Sequence, residues 1–341
     1  MSQQLRIHAT IAALALSATA LSSLPALALD AVTYGTNWRA QAEHGGFYQA
    51  VADGTYEEYG LDVTIVQGGP QSPNRQLLAT GRIDFYMGGT MDAFDAVKQG
   101  IPTINVAAIF QKNPQILLAH PDQGIEEFDD LAELETIFMG ADGFITYFEW
   151  MKARDVGFRD EQYKPYQFNP GPFLADTNSA QQGYLTSEPY AIEQQTGWAP
   201  TVFLLDDEGY SSYSTMITTQ VSLVEENPDL VQRFVDASIV GWYNYLYGDN
   251  AAANELIKAD NPEMTDGQLA YSLEKLKEFG IIESGEALEA GIGCQVDERY
   301  KQFFDTMVGI GVLEASLDYT QAFTTDFVCK GVGMDLKPEQ G

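Results

Sequence analysis

The run Gly81-Arg82-Ile83-Asp84-Phe85-Tyr86-Met87-Gly88-Gly89-Thr90-Met91-Asp92-Ala93-Phe94-Asp95-Ala96-Val97-Lys98-Gln99-Gly100-Ile101 contains one complete structural unit. Ile83 to Met87 is short, apolar and aromatic, which predicts a β-strand. Gly88-Gly89-Thr90 breaks it, Met91 to Lys98 has helical spacing, and Gly100 stops that helix. Ile101 to Phe110 then predicts another strand. Upstream the same unit recurs. Leu61 to Val66 alternates and is β-branched; it runs into Gly68-Gly69-Pro70 and a helix from Gln76 to Thr80. Earlier still, Ala31 to Gly35 predicts a strand, followed by a loop carrying Trp38. A helix from Gly45 to Tyr59 comes next, with Phe47, Ala50, Val51 and Tyr56 on one face and Gly60 as its stop.

Strand, glycine-bearing loop and helix therefore repeat three times, which predicts a parallel α/β architecture with right-handed crossovers. Ligands of open α/β sheets sit at the carboxyl ends of the strands, so the three loops converge on one place. A second α/β unit follows. It has strands at 115–119, 137–140, 163–168, 183–186, 201–205 and 214–219, and helices at 144–156, 173–180 and 188–195. After Asn227-Pro228 the pattern turns helical, at about 229–247, 251–258, 266–279 and 297–308, and such a region is expected to pack on the outside of a lobe.

The ends and the bulk composition narrow the class. Arg6, the apolar run Ile11 to Leu24 and Pro25-Ala26-Leu27-Ala28 form the three parts of a secretory signal peptide, with cleavage expected after Ala28. The run is short and broken by serine and threonine, which argues against a membrane anchor. The chain carries 18 Lys+Arg against 49 Asp+Glu, a formal charge of −31. Phosphate binding needs a basic surface, so nucleic acid is not an expected partner. The acidic surplus fits a salty medium that screens self-repulsion. Two cysteines, Cys294 and Cys329, suggest one disulfide in an oxidising compartment, the alternative being two buried thiols. No metal site and no cofactor are expected from two cysteines and three histidines.

The stretch Asn37-Trp38-Arg39-Ala40-Gln41-Ala42-Glu43-His44-Gly45-Gly46-Phe47-Tyr48-Gln49-Ala50 continues through Gly54-Thr55-Tyr56-Glu57-Glu58-Tyr59-Gly60-Leu61-Asp62-Val63 to Gly68-Gly69-Pro70. It resembles the start of periplasmic binding proteins related to thiamine-pyrimidine binders and to the yeast thiamine-pyrimidine synthase. A neighbouring branch binds alkanesulfonates, taurine and nitrate. Gly81-Arg82-Ile83-Asp84-Phe85 and Gly183-Tyr184-Leu185-Thr186-Ser187-Glu188-Pro189 extend the resemblance. It implies an α/β, two-lobe periplasmic binding protein of type II, each lobe a mostly parallel sheet flanked by helices. The first lobe would combine 29–112 with 216–341, the second would be 113–215, and 1–28 would be the leader. It further implies a monomeric, periplasmic protein that captures a small molecule and delivers it to an ABC permease in the inner membrane.

Each candidate contact has a plainer alternative. Trp38 can stack on a flat ring or cover the core. His44 can hydrogen-bond a ligand or make a helix-cap or interlobe bond. Gly69 and Gly89 can offer backbone amides to ligand atoms or be ordinary turn residues, and Thr90 can contact ligand or cap a helix. Tyr86 alternates with Phe85, so one of the two faces the cleft. Phe144, Thr146 and Tyr184 lie at loops of the second lobe. Glu188 can accept from an amino group or oppose a helix dipole. Tyr213 can close over the ligand or line the hinge. Arg39, Arg75 and Arg82 are the candidate anion-binding residues, but aromatic residues outnumber them in the loops. That balance favours a flat heterocycle such as a thiamine pyrimidine precursor over taurine, alkanesulfonate or nitrate. No catalytic residue is expected: nucleophile-elbow, phosphate-loop, dinucleotide and zinc-protease motifs are absent, as is the synthase's iron-linked cysteine cluster. A sensory or adhesion module without a permease is a third class.

Overall fold

In the computed structural model, residues 28–338 are described. The signal-peptide assignment falls on residues 1–28 and so lies almost entirely outside them. The strands are β1 (Asp30–Gly35), β2 (Leu61–Val66), β3 (Phe85–Gly88), β4 (Thr103–Phe110), β5 (Gln115–Ala119), β6 (Thr136–Met139), β7 (Tyr163–Pro165), β8 (Ser179–Tyr184), β9 (Thr201–Leu204) and β10 (Ser214–Gln220). They form two five-stranded sheets, ordered β2-β1-β3-β10-β4 and β7-β6-β8-β5-β9.

Each sheet has one strand against the grain. β10 pairs antiparallel with β3 and β4, and β5 pairs antiparallel with β8 and β9, while β1–β2, β1–β3, β6–β7 and β6–β8 are parallel. These two strands are the ones by which the chain enters each sheet from the other. Residues 111–114 carry it from β4 to β5, and 205–213 carry it back from β9 to β10. β4 reads Thr-Ile-Asn-Val-Ala-Ala-Ile-Phe and is buried almost throughout, as a strand covered by helices on both sides must be.

Three expected helices depart from the sequence expectation, the strand expected over 163–168 ends at Pro165, and the one expected over 183–186 spans Ser179–Tyr184. The helix expected over 45–59 divides into Gly45–Ala52 and Thr55–Glu58. Gly54 turns left-handed between them at φ +80°, and the Asp53 carboxylate accepts from the Thr55 amide at 3.0 Å. The helix expected over 144–156 divides into Ala141–Phe144 and Tyr147–Ala153. The helix expected over 173–180 ends at Ala175. Ser179 already belongs to β8, because Ala180, Gln181 and Gln182 pair with Ala119, Leu118 and Leu117 of β5. Strand pairing overrides a locally helical pattern there.

The long helix Pro228–Tyr247 returns to the first sheet. Phe234 stacks on Phe85 with centroids 4.0 Å apart and on Tyr56 at 5.4 Å. It crosses the helix Gly45–Ala52 at close range. A Cβ on Gly46 would sit 2.2 Å from the Trp242 ring, and one on Gly241 would sit 2.3 Å from the Gly46 carbonyl. The helix Asp266–Glu278 is not confined to the outside of one lobe. Gln268 Nε2 and Ser272 Oγ both donate to the Thr186 carbonyl, at 2.7 and 2.6 Å, just past β8. Cys294 and Cys329 form a disulfide that ties the C-terminal tail to the segment before the helix Asp297–Gly309.

Candidate functional site

The carboxyl ends of β1, β3, β6 and β8 face a cleft between the two sheets. Its inner compartment, about 230 Å³, is lined by Asn37, Trp38, Gln41, Glu43, His44, Met87, Gln115, Phe168, Gln182, Gly183, Tyr184, Ser187 and Glu188. An adjoining outer compartment of about 600 Å³ shares Asn37, Trp38, Gln115, Phe168, Gln182 and Tyr184. It adds Gly69, Gly89, Thr90, Thr146, Tyr147, Tyr166, Tyr210 and Tyr213 among others.

The loop after β1 carries the first-lobe wall. Trp38 meets Phe168 across the cleft, with centroids 4.8 Å apart at 50°. Phe168 holds φ +57°, a left-handed conformation rare for an aromatic residue and the kind of backbone strain that clusters at ligand clamps. His44 is fully buried. Its Nδ1 accepts from the Gln41 amide at 3.2 Å, so in the neutral ring Nε2 carries the proton and donates to Asn37 Oδ1 at 3.4 Å. Burial pushes its pKa down to about 3, keeping the ring neutral. Both nitrogens are thus engaged with the chain, but the ring closes the 3-10 turn Ala42–His44 and makes no side-chain cap on the helix Gly45–Ala52.

Glu43 lies on a short 3-10 turn, Ala42–His44, and is 1% exposed. Its Oε1 accepts from the Thr186 hydroxyl and, at 3.4 Å, from the Ser187 hydroxyl, both on the opposite lobe. Its Oε2 is buried with no partner. Burial raises its pKa. Glu188 opens the helix Glu188–Thr196, and its carboxylate accepts the Tyr184 amide at 2.7 Å. Burial first, and the Glu43 charge in addition, raise its pKa to about 7. The carboxylate therefore combines the helix-opening role with a place on the cavity wall. On the floor, Gln182 Oε1 accepts from the Gly140 amide and, at 2.8 Å, from the Tyr147 hydroxyl.

Of the residues singled out from sequence, Trp38, His44, Tyr184 and Glu188 meet in the inner compartment, and Gly69, Gly89, Thr90, Thr146 and Tyr213 line the outer one. Two are placed elsewhere. Tyr86 lines a separate cavity with Arg75, Asp92 and Thr218, because β3 turns Met87 rather than Tyr86 towards the cleft. Phe144 packs on Tyr163 at 4.2 Å and on Phe148 at 5.6 Å, since its short helix ends before Thr146 and brings Tyr147 to the cleft instead. Thr90 donates its hydroxyl to the Tyr213 carbonyl at 2.9 Å, joining the β3 loop to the return crossover. Glu43, Phe168, Gln115 and Gln182 were not singled out. Glu43 stood inside the quoted motif, whereas Phe168 carried no signal beyond its place near the end of a second-lobe strand.

No arginine or lysine among the described residues lines either compartment. Arg39 pairs with Glu263 and Arg75 with Asp92, while Arg82 is exposed. No group of three or more His, Cys, Asp or Glu among the described residues is placed to hold a metal ion, and no described helix is long and apolar enough to cross a membrane.

Two α/β lobes with matching strand order, joined by two crossing segments around a polar and aromatic cleft, define the two-lobe periplasmic-binding-protein fold. The solved aliphatic sulphonate binding protein SsuA from Escherichia coli has this fold, superposing with a TM-score of 0.63 at 14% identity over 89% of this chain and 99% of that one. The chain belongs to the NMT1/THI5 like family, whose profile matches residues 41–252. It is 24% identical over 309 residues to the riboflavin-binding protein RibY of Chloroflexus aurantiacus, covering 89% of this chain and 87% of that one. It is also 24% identical over 306 residues to the formylaminopyrimidine-binding protein of Halalkalibacterium halodurans, covering 87% and 91%.

Proposed function

We propose that this chain is the extracytoplasmic solute-binding component of an ABC import system, and that it captures a flat, N–H-donating heterocycle such as a thiamine-pathway pyrimidine. The observation that carries this reading is the chemistry of the inner compartment. Aromatic rings from the two lobes meet beside two carboxylates and three glutamine amides, with no cationic side chain among them. A planar ring fits beside Trp38 and Phe168, and its amino groups donate to the acceptors below. A sulfonate or nitrate would meet carboxylates in place of the arginine that such anions call for. The relatives named for riboflavin and formylaminopyrimidine add weight, both being ligands with a flat nitrogen heterocycle.

In this reading the leader directs the chain to the periplasm, where it works as a monomer. Ligand seats on the first lobe, the second closes over it about residues 111–114 and 205–213, and the closed form docks on a permease in the inner membrane. Ligand leaves unchanged. A thermal-shift screen of the mature chain tests the reading. The panel is thiamine-pathway pyrimidines, riboflavin, taurine, alkanesulfonates and nitrate, with mass spectrometry of the recovered ligand. Pyrimidines or flavins should raise the melting point by mass action. A shift with sulfonate or nitrate alone would refute the ligand class, and a chemically altered ligand would refute transport without transformation.

A further inference from the structure

Glu43 is buried on a wall where nothing in the protein neutralises it. One oxygen reaches across to Thr186 and Ser187 of the opposite lobe, and the other has no partner. The Glu188 carboxylate lines the same compartment and feels its charge. His44 next to it is neutral, and its two nitrogens are occupied by Gln41 and Asn37. A buried carboxylate oxygen without a donor is costly, the more so when the group is charged. Glu43 alone has such an oxygen; Glu188 lines the same compartment beside it, and no cationic side chain does, so the pair offers a ligand N–H an acceptor that the protein leaves open.

We propose that Glu43 and Glu188 together form a two-carboxylate receptor for a positively charged head group, an amino-heterocycle bearing an ammonium or amidinium, whose N–H is taken by the free oxygen of Glu43. This deepens the heterocycle-binding reading and rests on it. The other oxygen of Glu43 is held by the second lobe, so the residue senses ligand charge and lobe closure at once. A neutral ring of the same shape can stack beside Trp38 but leaves the carboxylates unanswered. A cation answers both, and it does so at a Glu43 oxygen that the protein itself buries.

The test compares two probes of equal shape by isothermal titration at neutral pH. One is 4-amino-5-aminomethyl-2-methylpyrimidine, an ammonium; the other is 4-amino-5-hydroxymethyl-2-methylpyrimidine, which is neutral. The mature wild-type chain should bind the ammonium probe about tenfold more tightly or better. In Glu43→Gln the preference should collapse while the neutral probe still binds. In Thr186→Val with Ser187→Ala, both probes should weaken together and the preference should persist. Equal binding of the two probes by the wild type overturns the receptor while leaving the heterocycle reading standing. An unchanged preference in Glu43→Gln removes Glu43 from it. If neither probe binds, the pyrimidine form of the heterocycle reading falls and the receptor falls with it. The wild-type ratio alone can sink the proposal, so it stays falsifiable if Glu43→Gln does not fold.

Discussion

Trp38 and Phe168 come from opposite lobes and meet with ring centroids 4.8 Å apart, tilted by 50°. An aromatic contact of this kind contributes about 0.5–1.5 kcal/mol beyond its area, and here it draws the two walls of the cleft together. Replacing Trp38 by Ala should weaken ligand binding about tenfold or more, as loss of a central aromatic anchor does. Trp38→Phe should retain most of the affinity. Titration calorimetry beside a melting curve checks this: unchanged affinity in a folded Trp38→Ala chain would take the ring out of the site.

Arg299 ties both crossing segments to the helix Asp297–Gly309. Its Nη2 donates to the Gln111 carbonyl at 2.7 Å and to Ser211 Oγ at 3.2 Å, its Nη1 pairs with Glu286 at 3.3 Å, and its guanidinium lies 4.2 Å over the Tyr213 ring. Arg299→Ala should lower unfolding stability by about 2–3 kcal/mol, since these bonds are charge-assisted and partly sheltered. Arg299→Lys should restore only part, having no planar fork to span both segments. Urea denaturation of the three chains decides. Full rescue by Lys would mean that only the charge matters.

Burial and the neighbouring Glu43 raise the Glu188 pKa to about 7. A raised carboxyl pKa means the native state holds its proton more tightly than the unfolded one, so this group's contribution falls as pH climbs from about 4.5 to 7. Glu188→Gln keeps an acceptor for the Tyr184 amide and removes the charge. Without ligand, the variant should match or trail the wild type at pH 4.5. At pH 8 it should exceed it, by about 2 kcal/mol after allowance for screening by cleft water. Denaturation midpoints at the two pH values give the difference, and a gap that does not change between them would show that the carboxyl titrates normally.

Gly46 and Gly241 let two helices touch backbone to ring. A methyl group at Gly46 would stand 2.2 Å from Trp242, and one at Gly241 would stand 2.3 Å from the Gly46 carbonyl. Overpacking of this kind costs about 1–3 kcal/mol or more. Both Gly46→Ala and Gly241→Ala should therefore lower the melting point by several degrees. Gly124→Ala, where a Cβ meets nothing within 4 Å but φ is +77°, measures the backbone strain alone. Equal losses at all three sites would refute the packing explanation.

The α/β character, the glycine loops at the strand ends and the family resemblance were legible in the sequence because each rests on local pattern. Alternation marks Leu61–Val66, and Gly88-Gly89 marks the end of β3. Trp38, Tyr184 and Glu188 could be named as candidates because they stand beside such loops. Tyr86 and Phe144 could not be judged that way. Which face a strand residue shows depends on the sheet around it, and a helix break at Ile145–Thr146 swings one aromatic in and another out.

What the sequence determined by itself is therefore the class of fold and the neighbourhood of the cleft, through spacing and turn chemistry that act over a few residues. Only the tertiary structure decided that Glu43 reaches Thr186, 143 positions away, and that its second oxygen is left without a donor. It also decided that Phe168 meets Trp38, and that Arg39 and Arg75 spend their charge on Glu263 and Asp92. These facts depend on which surfaces two separately built sheets turn towards each other. Burial and charge at that seam are sums over both lobes, and no local stretch of chain contains them.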